Sequence, residues 1–232
     1  RYQCRFECLP SKVVFRPARR TRRPVVEGPQ TAIITGPPGE EIYPDEFGRV
    51  KAQFHWDREG RFDEKSSCWL RVSQIHAGQR WGSMDLPRVN EEVIVSFLEG
   101  DPDRPIITGR VYNGENMPPF SLPAGKTRRG NMTKTYKGTG YNEMSMDDSP
   151  GKEQLRLNAQ FDMNSNVNHD QTLNIGNNQT ETVGLHRTRS VGSNEKVDIG
   201  GDQTVHVTGA QSVNVDCSQT VTTGKTITIT AG

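Results

Sequence analysis

From Val167 onward the chain repeats every eight residues, and that repeat limits what the protein can fold into. The blocks open with Val167, Ile175, Val183, Val191, Ile199, Val207, Val215 and Thr223. Position two is glycine in five blocks: Gly176, Gly184, Gly192, Gly200 and Gly224. Position six is Thr or Ser in seven, and position seven is aliphatic in six, as at Leu173, Val197 and Ile229. No insertion interrupts the register. Positions seven, eight and one read apolar–polar–apolar, as in Val205-His206-Val207. That is strand period, with two branched side chains on one face. Glycine at position two is expected to turn the backbone through conformations closed to other residues. Each octad is then a short strand and a corner.

A chain of this kind cannot build an ordinary globular core. No proline follows Pro150, and Phe161 is the only aromatic residue beyond it. Two buried aliphatics per octad offset only part of the entropy lost in ordering eight residues. Partner chains are the natural remedy. The pattern predicts several copies wound together, with Val183, Val191, Ile199, Val205, Val207, Val213, Val215 and Val221 meeting on a shared axis. The repeat alone does not set the number of copies. Glutamine recurs at position five (Gln171, Gln179, Gln203, Gln211 and Gln219), where both a buried amide ladder and an exposed corner fit.

The octads account for much of a low apolar content, 31% over 232 residues, and a mean hydropathy of −0.75. No run is apolar for long enough to cross a membrane, and no signal peptide opens the sequence. The start at Arg1-Tyr2-Gln3 reads as a fragment of something longer, which leaves an upstream signal open. Cys4 and Cys8 lack a second pair at zinc-ligand spacing. With Cys68 and Cys217 they read as reduced thiols of a protein made in the cytoplasm.

Residues 1–25 read as the end of one domain and a linker. Tyr2, Cys4, Phe6 and Cys8 alternate like a strand, and five arginines crowd positions 16–23 between prolines. With a net charge of +1 and no interleaved aromatics, that run reads as a solvated connector, not a nucleic-acid groove. Residues 26–120 hold the globular signal and all three tryptophans. Strands are expected at about 30–36, 47–57, 67–76, 91–98 and 105–112, separated by Gly, Pro and Asp turns. Val50, Ala52, Phe54 and Trp56 share one face and are expected in the core; Arg49, Lys51, Gln53 and His55 share the other. Five short strands bent at glycines suit a small closed barrel of the OB type, although pattern alone does not separate it from other five-stranded barrels. Residues 121–166 connect barrel to repeat through two alternating strands, 142–148 and 153–159, with a turn at Ser149-Pro150-Gly151-Lys152.

No catalytic, cofactor or metal site emerges. Asp147, Asp148 and Glu153 are paired carboxylates only on paper, since adjacent strand residues point to opposite faces. Ser67 and Cys68 lack a base and an orienting acid in motif form. His206 lies between two axial valines and so faces outward, and Gly200-Gly201-Asp202 matches a calcium-binding nonapeptide once and at the wrong period. His55 reads as a barrel-wall residue.

One series of motifs is far more specific than its parts. Asp45-Glu46-Phe47-Gly48-Arg49-Val50 is followed by Phe54-His55-Trp56-Asp57-Arg58 and Ser67-Cys68-Trp69-Leu70-Arg71-Val72. Then come Pro87-Arg88-Val89, Glu99-Gly100-Asp101-Pro102-Asp103-Arg104-Pro105 and Gly109-Arg110-Val111-Tyr112-Asn113. The whole chain resembles the VgrG family, the spike proteins of bacterial type VI secretion, and the central spike of contractile phage tails. The resemblance implies the end of a hub domain at 1–25, an OB domain at 26–120, a β connector at 121–166 and a three-chain intertwined β-helix at 167–232. It further implies a homotrimer seated on a tube of Hcp hexamers, tipped by a PAAR-repeat protein and carrying effectors. Such a spike is assembled in the cytoplasm and driven through a target membrane. Two departures stand out. Members usually carry Gly-Gln where this chain has Asn90-Glu91, and Asn tolerates left-handed backbone better than most residues. Some members also carry a C-terminal toxin domain, and here the sequence stops at Gly232. The connector is too short for the lysozyme domain of the phage relative. The alternatives from other classes are a cell-wall or membrane-directed effector enzyme and a monomeric adhesin or carbohydrate-binding β-solenoid.

The axial placement can be tested directly. Val207→Asp in each of three chains would gather like charges on the axis, and unpaired buried charge is very costly. The trimer is expected to fail; a mutant trimer melting like wild type would refute the placement.

Overall fold

Alternation of apolar side chains decides where the barrel strands run, and turn chemistry decides where they stop. The computed structural model describes residues 1–230, in two units, Arg1–Asn166 and Val167–Gly232. In the first unit five strands form one sheet: β1 (Gln30–Thr35), β2 (Lys51–Phe54), β3 (Arg71–Val72), β4 (Glu92–Phe97) and β5 (Pro105–Val111). Their order is β2-β1-β4-β5-β3, antiparallel throughout except for β3, which runs parallel to β5. The two outer strands then meet. Val50 N–H donates to the Leu70 carbonyl at 3.0 Å and Leu70 N–H returns the bond at 2.8 Å, bringing the sheet edges together in the curl of an OB barrel. Inside lie Ala32, Ile34, Val50, Ala52, Leu70, Val93, Val95 and Ile107, all essentially inaccessible, with Phe54, Val72 and Phe97 packed against them.

All five expected barrel strands form, but β2 and β3 are much shorter than expected. Before β2 the chain is held in a turn by the Asp45 carboxylate, which accepts Phe47 N–H (3.0 Å), Arg49 N–H (2.9 Å) and Arg49 Nε–H (2.6 Å). Gly48 at φ 70° completes it. After β2 the chain turns back, with Asp57 N–H donating to the Phe54 carbonyl. That turn corrects one expectation. Trp56 is not in the core but 66% exposed; it stacks on Phe54 at 5.2 Å and donates its indole N–H to Gln30 Oε1 at 2.8 Å. Gln53, assigned to the outer face, is buried instead. Its amide oxygen accepts Phe62 N–H and the Ser66 hydroxyl, and its amide nitrogen donates to the Asp57 carbonyl, so it pins the 57–66 loop.

The connector forms a second sheet of three antiparallel strands, β6 (Arg128–Met132), β7 (Glu143–Asp147) and β8 (Gln154–Asn158). The last two are the expected pair, with their turn closed by Lys152 N–H on the Ser149 carbonyl. Among the described residues no strand precedes Gln30, so the alternation at Tyr2–Cys8 yields an exposed segment without ladder partners.

Asn90 sits at φ 73°, in the left-handed region that most side chains avoid. Its N–H donates to Ile34 O, and its carbonyl accepts Asn116 Nδ2–H. Asn90→Gly is expected to keep or raise the barrel's stability. Asn90→Val should lower it by about 1–2 kcal/mol, read by urea unfolding followed through tryptophan fluorescence; equal midpoints would contradict this.

Candidate functional site

The octads give the chain its most regular backbone and its least complete one. Bends fall at positions two and three of all eight octads, from 168–169 to 224–225, with no assigned secondary structure between them. Exposure of the position-one residues is nearly constant, from 44% at Val207 to 48% at Val167. Position seven is more open, 63–67% from Val197 to Val221 in four successive octads. The same geometry therefore recurs eight times. Yet among the described residues from Val167 on, no strand is formed and no ladder joins one octad to another. Backbone without a ladder leaves its N–H and C=O groups dependent on something outside the chain.

The eight residues assigned to the axis, Val183, Val191, Ile199, Val205, Val207, Val213, Val215 and Val221, are all exposed in the single chain. The glycines Gly176, Gly184, Gly192, Gly200 and Gly224 lie at the bends, but the reason given for them needs correction. None has φ in the left-handed region, and Asn168, Thr208 and Asp216 bend at the same octad position. A Cβ at any of the five would meet no atom of its own chain within 4 Å. The corner therefore makes no conformational demand for glycine within one chain.

Ahead of the octads, the connector sheet is organised by buried charge. Glu143, on β7, is almost fully buried. Its carboxylate accepts the Ser145 hydroxyl at 2.5 Å and pairs with the Arg128 guanidinium, and Arg156 Nε lies 3.6 Å away. The Ser145 hydroxyl, then Arg128 and Arg156, hold the Glu143 carboxyl below its ordinary value against the opposing effect of burial. Arg128 also lies over the Phe120 ring at 4.6 Å. Gly130 of β6 faces Ser145, and a Cβ there would run into the Met144 carbonyl oxygen and Ser145 Cα. β6 pairs because that glycine lets the strands close up and because its arginine has a buried partner. Neither signal is periodic, so the sequence pattern missed the strand.

Sheet and barrel are tied by polar contacts. Arg88, of the Pro-Arg-Val motif, donates to the Lys134 carbonyl at 2.8 Å. The Glu41 carboxylate accepts Lys137 N–H at 3.0 Å and Lys134 Nζ at 3.2 Å, and Tyr136 OH donates to Glu40 at 2.6 Å. The Tyr136 hydroxyl lowers the Glu40 pKa, and the Lys137 N–H lowers that of Glu41.

Asp147, the first of the carboxylates weighed for hydrolysis, is held in turn contacts. Asp147 accepts the Ser149 hydroxyl, the Thr127 hydroxyl and Ser149 N–H, and the first two of these push its pKa down, whereas a hydrolytic acid needs one raised. The basic face of β2 is used within the barrel: Arg49 pairs with Asp45, Lys51 lies over the Trp69 ring at 4.9 Å, and His55 contacts Thr31 at 3.1 Å. All four cysteines are free thiols.

Two family models match. Residues 40–112 match the type VI secretion system/phage-baseplate injector OB domain, and residues 129–232 match the bacteriophage T4 gp5 C-terminal trimerisation domain. VgrG1c, a type VI secretion system spike protein of Pseudomonas aeruginosa, is 52% identical over 162 residues, 68% of this chain and 22% of the relative. VgrG3 of Vibrio cholerae, another such spike protein, is 52% identical over 161 residues, 69% of this chain and 16% of its own length. The chain belongs to the VgrG spike family. A third relative, the actin cross-linking toxin VgrG1 of Vibrio cholerae, is 50% identical over 69% of this chain and 15% of its own length. The matched stretch is thus about a fifth or less of these VgrG proteins. The trimerisation model starts within β6, so it takes in the connector sheet as well as the octads.

The Glu143 pair has a definite pH dependence. Because its folded pKa is depressed, the stability it contributes is present above the ordinary glutamate value of 4.5 and is lost as pH falls through the lower folded value. Thermal melts below pH 4.5 should drop faster for wild type than for Glu143→Gln, which has no charge to lose at that site. Parallel curves would contradict the assignment.

Proposed function

We propose that this chain is part of a non-enzymatic, membrane-puncturing spike of a type VI secretion system: a homotrimer whose octads interlock as a β-helix. The observation that carries this reading is the octad backbone, bent in register eight times and without a ladder of its own. A chain that repeats its geometry so closely, yet satisfies no ladder internally, is completed by identical copies offering the same strand at the same height. The trimerisation family model over residues 129–232 supports three as the number.

Function then follows from mechanics. Each chain supplies strands to walls shared with its neighbours, so few sheet edges remain and an axial push loads hydrogen bonds around the whole circumference. Position-one and position-seven aliphatics close the axis, and no cofactor or metal is required. The OB barrel carries the spike on a tube of Hcp hexamers, a PAAR-repeat protein caps the tip, and effectors ride on the assembly. The spike is assembled in the bacterial cytoplasm and secreted into the medium or a target cell, crossing the target membrane transiently.

An effector enzyme is the second reading, prompted by the relative named as an actin cross-linking toxin. This chain offers less for it: Asp147 is committed to the Ser149 and Thr127 contacts, which lower its pKa, and Asp148 pairs with Arg129. A monomeric adhesin solenoid would need ladders within one chain.

Light scattering on a sizing column tests the proposal. A mass near three times 25.9 kDa, with a gel band that resists detergent unless boiled, is expected. A monodisperse 25.9 kDa species with β-rich dichroism would overturn the shared axis.

A further inference from the structure

The connector sheet is built inside out. Its polar row, with Glu143 and Ser145 of β7, is turned inward, leaving these residues 5% and 2% exposed. Its apolar row is turned to solvent. Met144 stands opposite Leu157 and Met146 opposite Leu155, giving a contiguous block whose members are 39–64% exposed. Beyond β8 the alternation continues through Phe161 and Met163, 92% and 68% exposed. A sheet with one wet face ordinarily does the reverse, apolar row in and polar row out. The inward row is fully engaged, Glu143 with Arg128, Arg156 and Ser145, and Asp147 with Thr127 and Ser149. The sheet therefore has no second packing in which the apolar row turns in without stranding buried charge.

The octads create a problem that this face can solve. Eight nearly identical units specify strand geometry well but relative height poorly. Slipping one chain by one octad sets Val, Ile or Thr against one another at position one, and aliphatic against aliphatic at position seven except around Glu181 and Arg189. A slip by whole repeats also keeps every side chain on its own face, so the facing that normally fixes register gives no protection. From Val191 onward, register must come from a part of the chain that does not repeat.

We infer that the Met144, Met146, Leu155 and Leu157 face is a self-association surface, covered by two further copies of this chain, and that it sets the register in which their octads meet. The inference rests on the trimeric reading above. The occupant is a second copy and not a foreign partner, because the trimerisation family model begins at residue 129 and so contains the whole face. The apolar alternation also reaches Met163, four residues before the first octad opens at Val167. The nearby charges are neutralised within the chain, Arg129 by Asp148 at 3.4 Å.

The test separates register from assembly. In the full chain, Cys4, Cys8 and Cys68 are changed to Ser, and exposed Cys217, within the octads, carries a nitroxide label. Pulsed electron resonance then reads the distances between labels. The parent is expected to give one narrow distance and a trimer mass. Met144→Ser with Leu157→Ser should give several distances, or a loss of trimer of tenfold or more at equal concentration. Met146→Gln, at a residue of that face 39% exposed in the single chain, should broaden the distribution in the same direction. Met84→Ser, on a barrel methionine that is 76% exposed, should change nothing. A double variant that stays trimeric with the parent's single narrow distance overturns the register role and leaves the trimeric spike intact. A monomeric parent overturns the trimeric reading itself, and this inference with it.

Discussion

Every backbone N–H and C=O withdrawn from water needs a partner, and this chain meets that requirement in two different ways. In the barrel the ladder is closed within one chain. The Val50–Leu70 bridge joins the two edges of the five-stranded sheet, and the aliphatic core lies inside the curl. In the octads the backbone bends at a fixed interval but forms no ladder of its own. On the trimeric reading proposed above, copies of the chain would supply the missing half. The aliphatics that are about half exposed at seven of the eight position-one sites would leave water in the same step.

Between these regimes stands the connector sheet, and polar chemistry holds it. Arg88, Glu40 and Glu41 reach from the barrel to Lys134, Tyr136 and Lys137, while Glu143 ties β6, β7 and β8 together from beneath. Directional contacts suit this place. A hydrophobic contact slides at little cost, whereas a carboxylate held by a backbone N–H and a lysine resists both sliding and rotation. The Pro87-Arg88-Val89 and Asp45-to-Val50 motifs thereby acquire physical content. The first provides a tie to the connector and the second a carboxylate-capped turn that launches β2.

Legibility in the sequence followed the reach of each signal. The octad corners were readable because their period is exact in the sequence and local in the backbone, and all eight appear where the repeat places them. The left-handed backbone at Asn90 was readable through the family resemblance, which puts a glycine at that place, and asparagine tolerates the same geometry. Trp56 was misread because alternation was carried two residues past Phe54, the end of β2, into the turn closed by Asp57 N–H, which swings the side chain outward. The octad glycines lie at bends, but their φ values are outside the left-handed region that would call for glycine. Alternation in the connector announced that a strand had an apolar row but not that this row would face water. That depends on where Glu143 finds its arginines, a contact between residues 15 apart in sequence.

Relatives whose printed names differ, spike proteins and an actin cross-linking toxin, share this stretch at 50–52% identity. A segment common to both names is not what distinguishes them, so its chemistry need not be a toxin's chemistry. Physical demands on such a segment are those of a shaft: a repeat for length and stiffness, and a non-repeating collar to fix the height of each strand. The two demands conflict within one sequence, since the identity of units that makes a wall uniform also makes it free to slip. Here they are separated along the chain, with uniform octads after Val167 and a unique, charge-anchored sheet before it. On the proposed reading, this arrangement would govern slippage at one end, where side chains differ, and leave the remainder of the wall regular enough to carry an axial load.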